Sequence, residues 1–352
     1  MEEVYRHPPF DPRRLKPTEL DPVVGPIDRD FGTNFRIETS EGWYVERRGL
    51  GAVKGESIES RPFPSVVKAQ RTGWFLEPRP LHRRLRRMVD GVAIVMLLTL
   101  LYLALAPGFD ALNIPTFGTK SVRLGLLDYP LLGLIVVPLI LMPLILRLTV
   151  NVGDLRRQTN IMADERLRIE VNVDHVDSEG TTRLKIDGHA AEYAVFASLQ
   201  CGVLAPRRHH ILNALRRNPN GQPPPGMTTA LEGTEPAMGD GTGLGEESPM
   251  VRHDWPGDVY LRPMRLASRG AWTSVADRDV EVEAPEGPWP GTMYDALIRI
   301  HWEIIVACDH PVHGRLLHVT PVRARWPQGP IPTLTVDLTD GRAEHAEPAP
   351  TR

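Results

Sequence analysis

Two uncharged apolar runs in an otherwise polar chain constrain this sequence more than any other feature. They occupy residues 91–107, GVAIVMLLTLLYLALAP, and 129–146, YPLLGLIVVPLILMPLIL. The hydrocarbon core of a bilayer is about 30 Å thick, so a spanning helix needs roughly 17–25 apolar residues. Both runs reach that range, and the polar residues between them leave room for a tight connection. The spacing predicts a two-helix transmembrane hairpin, with helices over 89–108 and 124–148 and a loop at 109–123.

Charge sets the expected orientation. Arg79, Arg83, Arg84, Arg86 and Arg87 precede the first run; Arg147, Arg156 and Arg157 follow the second. The connection holds only Lys120 and Arg123. Basic residues stay on the cytoplasmic side, which places both termini and the C-terminal domain in the cytoplasm. The stretch 81–88, LHRRLRRM, is such a topology signal; contact with anionic headgroups is its second possible use.

The 352 residues carry a net charge of −3, which argues against nucleic acid as a partner. Mean hydropathy is only −0.22 because the flanks are polar. Two cysteines, Cys201 and Cys308, do not make a disulfide framework, and a reducing compartment is the simpler expectation. The N-terminus, MEEVYRHPPFDPRRLKPTELDP, is charged and broken by proline, unlike a cleaved leader. With 34 prolines and 30 glycines, the chain favours strands, turns and irregular stretches over helix bundles.

Proline recurrence makes residues 1–34 an expected disordered segment. Residues 35–80 hold a hairpin: Phe35, Ile37 and Thr39 alternate, Ser40-Glu41-Gly42 turns, and Trp43-Tyr44-Val45 resumes. Beyond the apolar runs, Leu167, Ile169, Val171 and Val173 alternate with polar residues, which predicts a half-buried strand. Further strands are expected at 182–186, 193–203, 259–266, 279–284, 296–308, 315–324 and 333–338, with a short helix at 209–217. In the strongest of them, Ile298, Ile300, Trp302, Ile304 and Val306 share one face. Residues 164–340 therefore read as a cytoplasmic β-sandwich, interrupted by a flexible proline- and glycine-rich insertion at 218–249. Residues 341–352 read as a disordered tail.

Chemistry-bearing motifs are sparse. His310, His313 and His318 lie near Cys308 in CDHPVHGRLLH, and imidazole with thiolate is zinc chemistry. The spacing matches no known finger, and Pro311 with Gly314 points to a turn. Asp128, at the outer end of the second run, is an ion-site candidate whose simpler role is an interfacial carboxylate. The glycines at 49–55 and 239–245 make no phosphate loop, and no G-x-S-x-G or catalytic constellation occurs. No catalytic residue, cofactor or metal is assigned.

The segment 279–324, with VEVEAP, the loop EGPWPGTMYDA, LIRIHWEIIVACD and LLHVTPVRA, resembles the C-terminal half of an arrestin-like or immunoglobulin-like sandwich. Residues 166–204 supply the matching first strands. The resemblance implies a binding or scaffold domain without a cofactor, and carries over no site residue. The combined expectation is a membrane-anchored adaptor or scaffold, not an enzyme, with the bilayer and an unidentified protein as partners. A channel or transporter subunit and a membrane-bound metal-binding protein are the alternatives.

Overall fold

The computed structural model describes residues 1–7, 17–19, 21–26, 33–49, 71–75, 80–118, 121–124, 127–173, 175–204, 208–218, 264–337, 343 and 349–350. The chain divides into two compact units, one of residues 1–77 and 159–352 and the other of residues 78–158. The insertion at 218–249, apart from Asn218, and the glycines at 239–245 lie outside the described residues, as does most of the tail.

The first unit is built of strands, and alternation explains most of them. Its largest sheet has seven strands. Five run in the order β12 (Met264–Arg269), β11 (Ala194–Leu204), β16 (Arg299–His310), β17 (Gly314–Val322) and β5 (Gly73–Phe75). Two short strands join it: β13 (Thr273–Ser274) on β11, and β15 (Met293–Tyr294) on β16. A five-stranded sheet has the order β19 (Thr333–Val336), β3 (Phe35–Thr39), β4 (Tyr44–Arg48), β1 (Glu2–Arg6) and β2 (Val23–Pro26). A three-stranded sheet has the order β14 (Asp279–Glu283), β10 (Thr181–Gly188) and β8 (Ile169–Val173). A two-stranded parallel ladder joins β18 (Ala324–Arg325) to β9 (Val176–Asp177).

One hydrophobic core unites these sheets. Ile298, Ile300, Trp302, Ile304, Val306 and Cys308 enter it from β16 and the residue before it, Leu199 and Cys201 from β11. Phe35, Ile37 and Val45 enter from the five-stranded sheet, and Leu184, Ile186, Val280 and Val282 from the three-stranded one. The N-terminal hairpin is thus part of the same unit as the C-terminal strands: β3 pairs β4 antiparallel and takes β19 parallel on its other edge. Its turn needs Gly42, whose φ of +86° is a conformation other residues avoid. The first 34 residues also contribute β1 and β2, because Val4, Tyr5 and Val23 supply buried apolar area despite the surrounding prolines. The predicted short helix is α3 (Arg208–Ala214), with Ile211 and Leu212 buried.

The second unit corrects the predicted anchor. It contains α1 (Pro80–Ala111), a two-stranded ribbon of β6 (Ser121–Leu124) and β7 (Leu127–Pro130), and most of α2 (Leu131–Ala163). Among the described residues one helical segment, Ile94–Ala111, is long and apolar enough to cross a membrane, so no two-helix transmembrane hairpin is shown. Tyr129 and Pro130, expected at the start of the second helix, belong to β7, opposite Val122 and Ser121. Both helices also run far past their apolar runs, α1 starting at Pro80 and α2 continuing to Ala163. The physical reason is that hydropathy marks composition, not helix ends. Arginine, lysine and glutamine extend a helix as readily as leucine does. Asp128 sits exposed in the ribbon, in register with Arg123.

Candidate functional site

The densest polar chemistry lies on the face of β16 opposite the core residues. Successive strand residues point to opposite faces, so Arg299, His301 and Glu303 lie across from Trp302 and its apolar neighbours. Gln200 of β11 is in register with Glu303. Arg71, just before β5, reaches Glu303 bidentately: its Nε donates to Oε2 at 3.0 Å and its Nη2 to Oε1 at 2.7 Å. Gln200 Nε2 donates to Oε1 at 2.5 Å. Arg269 Nε in turn donates to Gln200 Oε1 at 2.8 Å, and its Nη2 donates to the Ala343 carbonyl at 2.9 Å.

A tyrosine–histidine pair adjoins this cluster. Tyr294 Oη is 2.7 Å from His301 Nδ1, and His301 Nε2 is 3.2 Å from Glu303 Oε2. The second approach is an ion-pair distance without hydrogen-bond alignment. Burial alone raises the Glu303 carboxyl, but the Arg71 guanidinium and His301 outweigh it and hold the group down at about 2. Burial pushes His301 below the usual histidine range and Tyr294 above the usual tyrosine range. Glu303 is therefore an anion and His301 neutral, with Nδ1 accepting from the Tyr294 hydroxyl and the proton on Nε2 facing the carboxylate.

A carboxylate-oriented imidazole is acid–base hardware elsewhere. Here Arg71, Gln200, His301 and Glu303 are all at 0% exposure. The cluster therefore acts on the fold: it neutralises a buried charge and ties the segment before α1 to the sheet.

The chain's departure from the β unit and its return are also held together. β5 pairs β17, with Trp74 opposite His318. Trp74 Nε1 donates to the Leu167 carbonyl at 3.2 Å, joining residues on either side of the helical unit.

A second buried carboxyl belongs to Glu3 on β1. Its Oε2 accepts from the Leu297 N–H at 2.6 Å. Beside it, Arg47 Nη1 is 3.5 Å from Asp295 Oδ2. Burial lifts the Glu3 carboxyl to about 7, with Asp295 adding to the rise and the Leu297 N–H and Arg47 opposing it. The folded state thus keeps a proton that the unfolded chain loses near the ordinary value of 4.5. That contribution to stability is fully present below 4.5 and is lost as pH rises through about 7. Glu3→Gln removes the loss. Urea denaturation at pH 5 and pH 8 should show the variant gaining on the wild type at the higher pH; parallel pH profiles would refute the assignment.

The histidines singled out from the sequence divide between two places. His310 and His313 come together at the β16–β17 turn, their rings tilted by 30° with centroids 4.8 Å apart. His310 Nδ1 accepts from the Val312 and His313 N–H groups, each at 3.2 Å, which fixes its proton on Nε2. His313 Nε2 is 3.4 Å from Asp164 Oδ2, and Asp164 also caps the 3-10 turn at Glu165–Leu167. His318 lies apart from them, edge-on to Trp74 at 4.9 Å, and burial lowers its pKa to about 3. Burial pushes the Cys308 thiol up to about 12, and its Sγ faces the Ala190 carbonyl at 3.9 Å. Among the described residues no three His, Cys, Asp or Glu side chains form a group that could hold a metal ion. Cys201 and Cys308 are both free and buried.

Sequence reading missed Arg71, Gln200, Tyr294, His301 and Glu303. A signal was present: the same strand face continues into Ile305 and Ala307, both buried. A face that turns apolar along one strand is covered, and charges on it need partners.

No protein-family profile matches this chain, and neither a curated protein nor a solved structure matches it. The architecture is mainly β, and no arrestin-like or immunoglobulin-like assignment follows from these comparisons.

Proposed function

We propose that this chain is a membrane-associated adaptor whose helical unit attaches to a lipid bilayer and whose β unit binds a protein partner. One observation carries the first half. Of the segment Ile94–Ala111, only Ala106 is buried. Ile94, Val95, Leu97, Leu98, Leu100, Leu101 and Leu105 are all exposed. At 100° per residue these positions cover about 220° of the helix, and the half-buried Met96 and Leu103 are apolar on the remaining side. A helix apolar all round belongs in a protein core or a membrane.

The β unit constrains how attachment occurs. β5 pairs β17 and β3 pairs β19, so strands from before and after the helical unit share sheets. Both flanks of the helical unit therefore lie on one side of any bilayer to which it attaches.

Sedimentation of native membranes after alkaline carbonate extraction tests the attachment. The full-length protein is expected in the pellet. Leu97→Asp with Leu101→Asp should release it, since an aspartate at a helix centre costs about 2.5–3.5 kcal/mol in lipid. Wild-type protein in the supernatant would remove the reading.

The protein-binding half rests on β8, which ends its sheet and follows directly on the helical unit. Its outer backbone groups can pair with an extended segment. Photo-crosslinkers at Glu170 and Asn172, both exposed on β8, should give protein adducts in native membranes. The same label at exposed Glu179 serves as background, and equal yields would count against β8.

A further inference from the structure

We infer that the first two turns of α1 form a binding face for anionic phospholipid headgroups, an inference that rests on membrane attachment and names the lipid class it selects. The helix is continuous from Pro80 to Ala111, with Pro107 inside it, so the stretch 81–88 runs directly into the apolar segment Ile94–Ala111. At 100° per residue, positions 83, 84, 86 and 87 fall within about 160° of arc. All four are arginine. Positions 81, 85 and 88 fall within about 60° on the opposite side, and they are Leu, Leu and Met. Position 90, an aspartate, falls on the arginine side and offsets one of the four charges.

A topology signal needs only the number of basic residues near a span. It does not need them segregated from an apolar stripe. Segregation is the pattern that sets basic positions among headgroups and apolar ones toward acyl chains. With a rise of 1.5 Å per residue, positions 83–87 precede Ile94 by roughly 10–17 Å, so the basic turns lie next to the apolar segment on the same helix. Charge complementarity therefore favours phosphatidylserine-like lipids over zwitterionic ones, each net charge contributing about fivefold to partitioning.

Flotation of full-length protein, reconstituted by detergent removal, separates this inference from the reading beneath it. Vesicles of pure phosphatidylcholine are compared with vesicles holding 30% phosphatidylserine, at about 0.15 M salt, where headgroup attraction is only partly screened. The wild type should float with both and partition on the order of a hundredfold more strongly into the anionic vesicles. The variant R83Q/R84Q/R86Q/R87Q should float with phosphatidylcholine as the wild type does and lose the anionic preference. The all-lysine counterpart, R83K/R84K/R86K/R87K, should keep it. Equal partitioning of the wild type into both vesicles, or a preference retained by the glutamine variant, overturns the inference while leaving attachment standing. No flotation with either vesicle overturns attachment itself. Duplex oligonucleotide binding to the protein on phosphatidylcholine vesicles, lost in the glutamine variant and without any phosphatidylserine preference, would assign the face to nucleic acid instead.

Discussion

Glu303→Gln is expected to cost the β unit about 3–5 kcal/mol, the usual loss when one partner of a buried ion pair is removed. The amide accepts through one oxygen, whereas the carboxylate accepts from Arg71 twice and from Gln200 once. It also leaves the Arg71 guanidinium charged at 0% exposure. Chemical denaturation of full-length protein, followed by tryptophan fluorescence, reads the loss as a lower midpoint. A loss below about 1 kcal/mol, the range of exposed pairs, would show that Arg71 finds another counter-charge. The double replacement Arg71→Met with Glu303→Leu should recover much of the deficit, because apolar groups of similar volume carry no desolvation cost. The pH dependence has a definite sign. The Glu303 carboxyl is held at about 2, below its ordinary 4.5. Its contribution is fully present above 4.5 and is lost as pH falls through about 2. Glu303→Gln should therefore flatten the acid limb of the wild-type profile.

Trp302→Ala is the second large effect, about 3–5 kcal/mol from lost transfer energy and the cavity left behind. Trp302 is fully buried in the shared core, and its Nε1 donates to the Pro290 carbonyl at 2.8 Å. The indole thus also fixes the loop before β15, where the Thr292 N–H donates to the Ala324 carbonyl at 3.0 Å. Trp302→Phe separates the two contributions: it keeps most of the apolar area and loses the hydrogen bond, so it should cost about 1–2 kcal/mol. Hydrogen exchange should then speed up at Thr292 in both variants. Unchanged protection there would detach the loop from the indole.

These adjacent residues show how much of the molecule was legible. Period-two alternation placed Ile298, Ile300, Trp302, Ile304 and Val306 on one face, and all five lie in the core. The N-terminal hairpin, its glycine turn and most C-terminal strands followed from the same local rule. Helix ends did not, because hydropathy contrasts lipid with water and is silent on where charged residues stop extending a helix. The ribbon at 121–130 was missed for a related reason: Tyr129 and Pro130 read as apolar, and only pairing with β6 makes them a strand.

For the Glu303 cluster, local pattern carried only the hint of a covered face in Ile305 and Ala307, and nothing of its partners. Arg299, His301 and Glu303 alternate with apolar residues as a solvated face does. Their burial depends on Arg71, 232 positions away, and on Gln200 in the neighbouring strand. Local sequence by itself determined which residues of each strand are apolar enough to leave water, since that is a property of side chains and their period. Only the tertiary structure decided that the polar side of β16 leaves water too. A charge enters an interior when a distant part of the chain delivers its counter-charge, and no spacing rule encodes that meeting.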